Sequence, residues 1–113
     1  MHEMSLCEGV LRILEEQARA QQFTRVKTVW LEIGDLSSVE KEAMRFGFEV
    51  VMKGTLADGA RLEIIEVPGQ AWCMQCMKPV TIKQRFDACA DCGGHQLQVT
   101  GGEEMRIKEL EVD

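Results

Sequence analysis

The chain has 113 residues, 13 of them Lys or Arg and 19 Asp or Glu, for a formal charge of −6; that length allows one modest domain, or one domain carrying a small stapled module. Such acidity excludes nucleic-acid binding by phosphate neutralisation, which needs clustered cations, and 45% hydrophobic against 28% charged residues excludes a disordered chain. No apolar run is long enough to span a bilayer and no charged start followed by an apolar stretch marks export, so the expectation is a cytoplasmic chain with no membrane association.

Taken in chain order, the apolar residues Leu6, Cys7, Val10, Leu11, Ile13, Leu14 and Ala18 predict a helix from Ser5 to about Gln22 with one buried face. Residues 26 to 33 alternate, Val29, Leu31 and Ile33 against Thr28, Trp30 and Glu32, as a strand ending at Gly34. Ser37-Ser38-Val39-Glu40 has the form of a capping box, in which the Ser37 hydroxyl takes the third helical N–H and Glu40 reaches back to the cap. The helix it opens is expected to run to about Met52, with Val39, Ala43, Phe46 and Val50 on one apolar stripe and Phe48 and Val51 beside it. Gly47 inside it costs roughly 1 kcal/mol relative to Ala, and Lys53-Gly54 ends it. Ala57-Asp58-Gly59 is a turn, and Arg61 to Val67 a second strand. From Glu104 to Val112, alternation through Met105 and Ile107 resumes out of phase at Leu110 and Val112, the slip of a β-bulge near Lys108-Glu109.

That last strand lies beyond a cysteine-rich stretch bracketed by Pro68-Gly69 and Thr100-Gly101-Gly102. The expected fold is therefore α+β: two helices packed on a three-stranded sheet, built from residues 1–68 and 100–113, with an inserted zinc-ribbon-like module at 69–99. The open edges of such a sheet leave a homodimer conceivable.

Sulfur is the unusual asset of the composition, with seven Met and five Cys beside two Trp, four Phe and no Tyr. Cys73-Met74-Gln75-Cys76 and Cys89-Ala90-Asp91-Cys92 are two Cys-x-x-Cys pairs separated by twelve residues. A two-residue gap lets both sulfurs of a knuckle face one ion, and a second knuckle completes a tetrahedron with Zn–S near ~2.3 Å. Four thiolates leave no open position, so such a site is structural, and it can supply roughly 10–16 kcal/mol of apparent binding free energy to a segment with few aliphatics. The same residues also allow two disulfides or a rubredoxin-like iron site. His95 reads as an exposed loop residue, and Cys7 as a small buried hydrophobe on the first helix.

The chain begins Met1-His2-Glu3. The Met1 amine and the His2 and Glu3 amide nitrogens can close adjacent chelate rings, and the His2 imidazole takes the fourth place. Four nitrogens in a plane suit Ni(II) or Cu(II) and not tetrahedral zinc. The alternative is an ordinary solvated terminus. With only two histidines, no glycine-rich phosphate loop and no nucleophile set beside a base, nothing points to an enzyme.

Met1-His2-Glu3, Ser5-Leu6-Cys7, Val29-Trp30-Leu31-Glu32-Ile33-Gly34, Ser38-Val39-Glu40 and the twin Cys-x-x-Cys together resemble the HypA/HybF family of hydrogenase-maturation nickel chaperones over essentially the whole length. The resemblance implies a Ni(2+) site built on His2 with the Met1 and Glu3 backbone, and a separate Zn(2+) domain held by Cys73, Cys76, Cys89 and Cys92. It also implies action with a HypB-type GTPase to insert nickel into the large subunit of [NiFe] hydrogenase, and in some organisms service to urease. Ala71-Trp72-Cys73 and Trp30-Leu31-Glu32 are closer to the HybF branch. Ser38 stands where some enterobacterial relatives carry cysteine, so a thiol there is not essential to this chain. The rival from another class is a zinc-ribbon docking adaptor with no transferable metal.

Overall fold

The computed structural model describes residues 2–113, with His2 as backbone only; Met1 lies outside the described residues. The elements in order are α1 (His2–Gln21), β1 (Val26–Gly34), α2 (Lys41–Met52), β2 (Arg61–Val67), β3 (Gly69–Cys73), β4 (Lys78–Ile82), β5 (Leu97–Gly101) and β6 (Met105–Val112). Two three-stranded sheets result, ordered β2-β1-β6 and β4-β3-β5. The chain divides into two compact units. The first holds Met1–Leu31, Val39–Ile64 and Ile107–Asp113, and the second Glu32–Ser38 and Ile65–Arg106. Among the described residues, no helix is long and apolar enough to cross a membrane.

The 3.6-residue period of α1 buries Cys7, Val10 and Leu14. The helix starts at His2, three residues before the sequence places it. β1, the centre of its sheet, buries Val29, Leu31 and Ile33 as its alternation predicts. Thr28 is buried too, and its hydroxyl donates to Glu111 Oε1 on β6 at 2.7 Å. Along β6 the half-buried positions Met105 and Ile107 change phase at Lys108-Glu109 and resume at Leu110.

Two expectations for α2 are corrected. The capping box does not form. The first helical residue is Lys41, the Ser37 hydroxyl donates to the Gly34 carbonyl at 2.7 Å and Ser38 sits at φ +63°, so the chain is still turning out of β1. Glu40 is the N-cap instead, its carboxylate accepting the Glu42 N–H at 3.1 Å. Nor is the Val39-Ala43-Phe46-Val50 stripe the core face: Met44, Gly47, Phe48 and Met52 are buried, while Phe46 is 65% exposed. Gly47 explains the choice. A Cβ there would lie 3.0 Å from Cys7 Sγ and 3.1 Å from Met4 Sδ, so its absence lets α1 and α2 close on each other.

The cysteine segment, expected as a zinc-ribbon-like module, is built on a small sheet of its own whose strands the sequence reading did not place. β3 pairs antiparallel with β4 and β5, setting Ala71 opposite Val80 and Val99, with a register shift between Gln70 and Ala71. Each strand has only five residues, too short a run for alternation to show; β3 and β4 form a hairpin across the first knuckle, and β5 joins β3 from beyond the second. Leu36, Ala71, Cys73, Val80, Ile82 and Cys89 form the core. Gly34 and Gly102 close the unit by backbone-to-backbone approach: Leu36 N–H donates to Gly102 O at 2.8 Å, and a Cβ on Gly34 would collide with that same carbonyl.

Gly34→Ala is therefore expected to lower stability by about 2 kcal/mol or more, read as the urea midpoint. Gly9→Ala, inside α1 with nothing within 4 Å of the new methyl, should raise stability by about 1 kcal/mol. Equal midpoints for the two variants would contradict the packing described.

Candidate metal centre

The four clustered cysteines reach one point because two turns repeat the same construction. Cys73 ends β3, whose residues alternate between buried and half-buried. Four residues on, Met77 N–H donates to the Cys73 carbonyl at 2.8 Å, with Met77 at φ +56°. In the second turn Gly93 N–H donates to the Cys89 carbonyl at 2.8 Å, with Gly93 at φ +71°. Each turn folds its Cys-x-x-Cys pair back on itself. The Met74 N–H, donating to Gln96 O at 2.8 Å, ties the first knuckle to the segment after the second.

The four Sγ atoms lie within 4.8 Å of one another. Cys73 and Cys92 are 3.7 Å apart and Cys76 and Cys89 3.9 Å. A tetrahedron with bonds of ~2.3 Å has edges of about 3.8 Å, so the donor set fits a tetrahedral metal ion. No disulfide joins them in this structure, and their separations are those of a ligand set rather than of S–S bonds. Cys73 and Cys89 are buried, Cys76 is half-buried and Cys92 is exposed.

Hydrogen bonding divides these thiols. The Cys76 amide, donating to Cys73 Sγ at 3.3 Å, brings the Cys73 pKa down to about 7, against the effect of burial. Cys76 goes the other way, to about 12, through its contacts with Cys92 and Cys73 and through burial. Neighbouring sulfurs cannot all carry charge unless a cation joins them. Cys92 also donates to Gln75 Oε1 at 3.3 Å. The Lys78–Asp91 ion pair at 2.5 Å links β4 to the second knuckle, both side chains about half exposed. Neither Gln75 nor Lys78 was a sequence candidate, since no spacing rule marks them.

Cys7 stays out of the cluster. It is fully buried, its thiol 3.6 Å from the Met44 carbonyl and 3.9 Å from Met44 Sδ, and burial raises its pKa to about 11. His95 is exposed and takes no part in the cluster. Of the N-terminal candidates, Met1 and the His2 side chain lie outside the described residues. Glu3 is described: its Oε2 accepts the backbone N–H of Glu40, the N-cap of α2, at 3.2 Å. Glu3 belongs to the first compact unit and the four cysteines to the second. Because α1 begins at His2, the His2 and Glu3 amides are among the first-turn N–H groups that have no acceptor within the helix.

A family model described as "Hydrogenase/urease nickel incorporation, metallochaperone, hypA" matches residues 1–112. A hydrogenase maturation factor HypA from Alkalilimnicola ehrlichii is 66% identical over 113 residues, covering 100% of both chains. Another, from Rhodopseudomonas palustris strain BisA53, is 65% identical over the same span, again covering 100% of both chains. The solution structure of the Ni metallochaperone HypA from Helicobacter pylori is similar at TM-score 0.71 and 25% identity, covering 97% of this chain and 96% of that one. The matched span takes in the N-terminal triplet and both cysteine knuckles, and the chain belongs to the HypA family of hydrogenase-maturation nickel metallochaperones.

Proposed function

We propose that this chain carries one Ni(II) at its N-terminus and delivers it in the cytoplasm to the large subunit of [NiFe] hydrogenase, acting with a HypB-type GTPase. The ligands are the Met1 amine, the His2 and Glu3 amide nitrogens and the His2 imidazole. The observation that carries this reading is the family match over residues 1–112, which includes His2 itself. Local structure supports it, since amides in the first turn of α1 can lose their protons without breaking a helical hydrogen bond. A planar set of nitrogens leaves both faces open to an incoming ligand, which suits a carrier. The Glu3 carboxylate, held to Glu40 N–H at 3.2 Å, ties this turn to the start of α2.

Zinc is the ion we assign to Cys73, Cys76, Cys89 and Cys92, with residues 69–99 as the zinc domain and residues 1–68 and 100–113 as the nickel domain. The sulfur separations of 3.7 and 3.9 Å support a closed tetrahedral site. Bound there, the ion supplies folding free energy and the charge that lets four thiolates coexist. The cargo is nickel, and no covalent chemistry is assigned to the chain.

His2→Ala should abolish stoichiometric Ni(II) binding in equilibrium dialysis, while zinc content and the thermal transition stay as in the wild type. Nickel retained by that variant would remove the N-terminal assignment. Zinc without any nickel affinity in the wild type would make the chain a docking adaptor instead. Because amine and amides must deprotonate to bind, affinity should climb as pH rises from about 6 to 8. Acetylating the terminus should weaken it at every pH.

Cys73→Ser removes a buried ligand, so zinc should fall well below one per chain. Amides of residues 69–99 should lose hydrogen-exchange protection while α1 keeps its own. Iron in place of zinc in untagged protein would overturn the choice of ion.

A further inference from the structure

The four clustered cysteines differ in how far solvent reaches them. Cys73 and Cys89 are buried, Cys76 is half-buried and Cys92 is exposed. Cys92 is followed by Gly93 and Gly94, so the next two residues bring no side chain to shield its sulfur. A methyl placed on Gly93 would meet nothing within 4 Å, which makes that side of the knuckle open space. Gln75 stands beside the sulfur, its Oε1 3.3 Å from Cys92 Sγ, and is itself exposed. From the other knuckle, buried Cys73 brings its Sγ to 3.7 Å from Cys92 Sγ, while the Cys76 and Cys89 sulfurs lie 3.9 Å apart. The cysteine that solvent reaches is thus in sulfur contact with one that it does not.

We propose that Cys92 is an oxidation site, the point at which a peroxide reaches the zinc centre, and that Cys73 is the sulfur that resolves it, so that oxidation joins the two knuckles and releases the ion. This rests on the zinc assignment made above. Metal ligands of this type are held as thiolates, the form that reacts with peroxide. The Cys92 thiolate attacks one peroxide oxygen: an S–O bond forms, the O–O bond breaks and hydroxide leaves. Two electrons pass from sulfur to oxygen, and Cys92 becomes a sulfenic acid. The Cys73 thiolate then attacks the Cys92 sulfur; the S–S bond forms, the S–O bond breaks and a second hydroxide leaves. Two thiolates and one peroxide have become one disulfide and two hydroxides, which take protons from solvent. Cys76 and Cys89 are then the remaining thiolates of the cluster, too few to close a tetrahedral site, and a second peroxide joins them in the same way. Because Cys73 and Cys89 are also core residues, the change reaches the packing of the whole second unit. Cys7, in the first unit, is fully buried and keeps its thiol.

The test uses the full chain without nickel and measures its zinc first, so that failure of the zinc assignment shows before any oxidant is added. Hydrogen peroxide is then added stepwise, zinc release is followed with a colorimetric chelator, and the alkylated protein is digested with trypsin. Cleavage after Lys83 and Arg85 separates the knuckles. A disulfide between them therefore joins two peptides, whereas one within a knuckle leaves each peptide alone. Zinc should leave at about one ion per peroxide consumed, in step with a cross-linked peptide pair whose fragment ions place the bond at Cys73–Cys92. Cys7 should be recovered alkylated. Cys92→His keeps a zinc-binding side chain but removes the exposed sulfur, and should slow release about tenfold or more. Cys76→His, which keeps both Cys73 and Cys92, should release zinc at least as fast as the wild type. Disulfides confined within the knuckles, a Cys76–Cys89 bond that precedes Cys73–Cys92, undiminished release from Cys92→His, or zinc retained in excess peroxide would overturn the proposal. If Cys92→His holds no zinc, the order of disulfides in the wild type decides alone.

Discussion

Four sulfur atoms within 4.8 Å of one another are the constraint on which the second compact unit depends. Hydrogen bonds set these thiols apart: the Cys76 amide brings Cys73 down to about 7, while contacts with Cys92 and Cys73 push Cys76 up to about 12, and four thiolates at this spacing would repel one another. A cation changes the sign of every one of these interactions. The hydrophobic core of the unit has six buried members, and two of them, Cys73 and Cys89, belong to the sulfur cluster. A core that small is short of the free energy such a fold needs, and an ion held by the four cysteines would supply it.

The first compact unit is held differently. Its helices meet where Gly47 lacks a side chain and the sulfurs of Cys7 and Met4 come within 3.0 and 3.1 Å of the vacant position. Glycine weakens α2 as an isolated helix and strengthens it as a partner for α1. The Cys7 thiol, with its pKa near 11, is a packing group at this contact and not a ligand. The Glu3–Glu40 hydrogen bond joins the same two helices at their N-terminal ends, beside the residues through which a nickel carrier of this family would hold its cargo. Cargo and resident metal are thus assigned to different units with different donor chemistry. Borderline nitrogens suit an ion that must leave, and a closed thiolate shell suits one that stays.

Much of this was legible in the chain itself. The order of elements, the limits of β2 and the buried residues of α1 and β1 follow from periodicity, which is local. The four-cysteine cluster follows from a spacing that is itself a chelation rule. The capping of α2 was not legible, because Ser37 and Ser38 still belong to the turn out of β1, with the Ser37 hydroxyl donating to the Gly34 carbonyl and Ser38 at φ +63°. Strands β3, β4 and β5 were not legible either. Each is five residues long, too short for a period of two to stand out, and β5 meets β3 only across the whole cysteine segment.

The sequence by itself thus determined the family and the four-cysteine cluster, since the N-terminal triplet and the Cys-x-x-Cys spacing are properties of a few consecutive residues. Only the tertiary structure decided which side of α2 is core. Both Val39-Ala43-Phe46-Val50 and Met44-Gly47-Phe48-Met52 are apolar, and no local rule ranks them. The choice fell to the face on which a missing Cβ lets α1 come close, because burial rewards the surface that a neighbour can cover, not the most regular stripe.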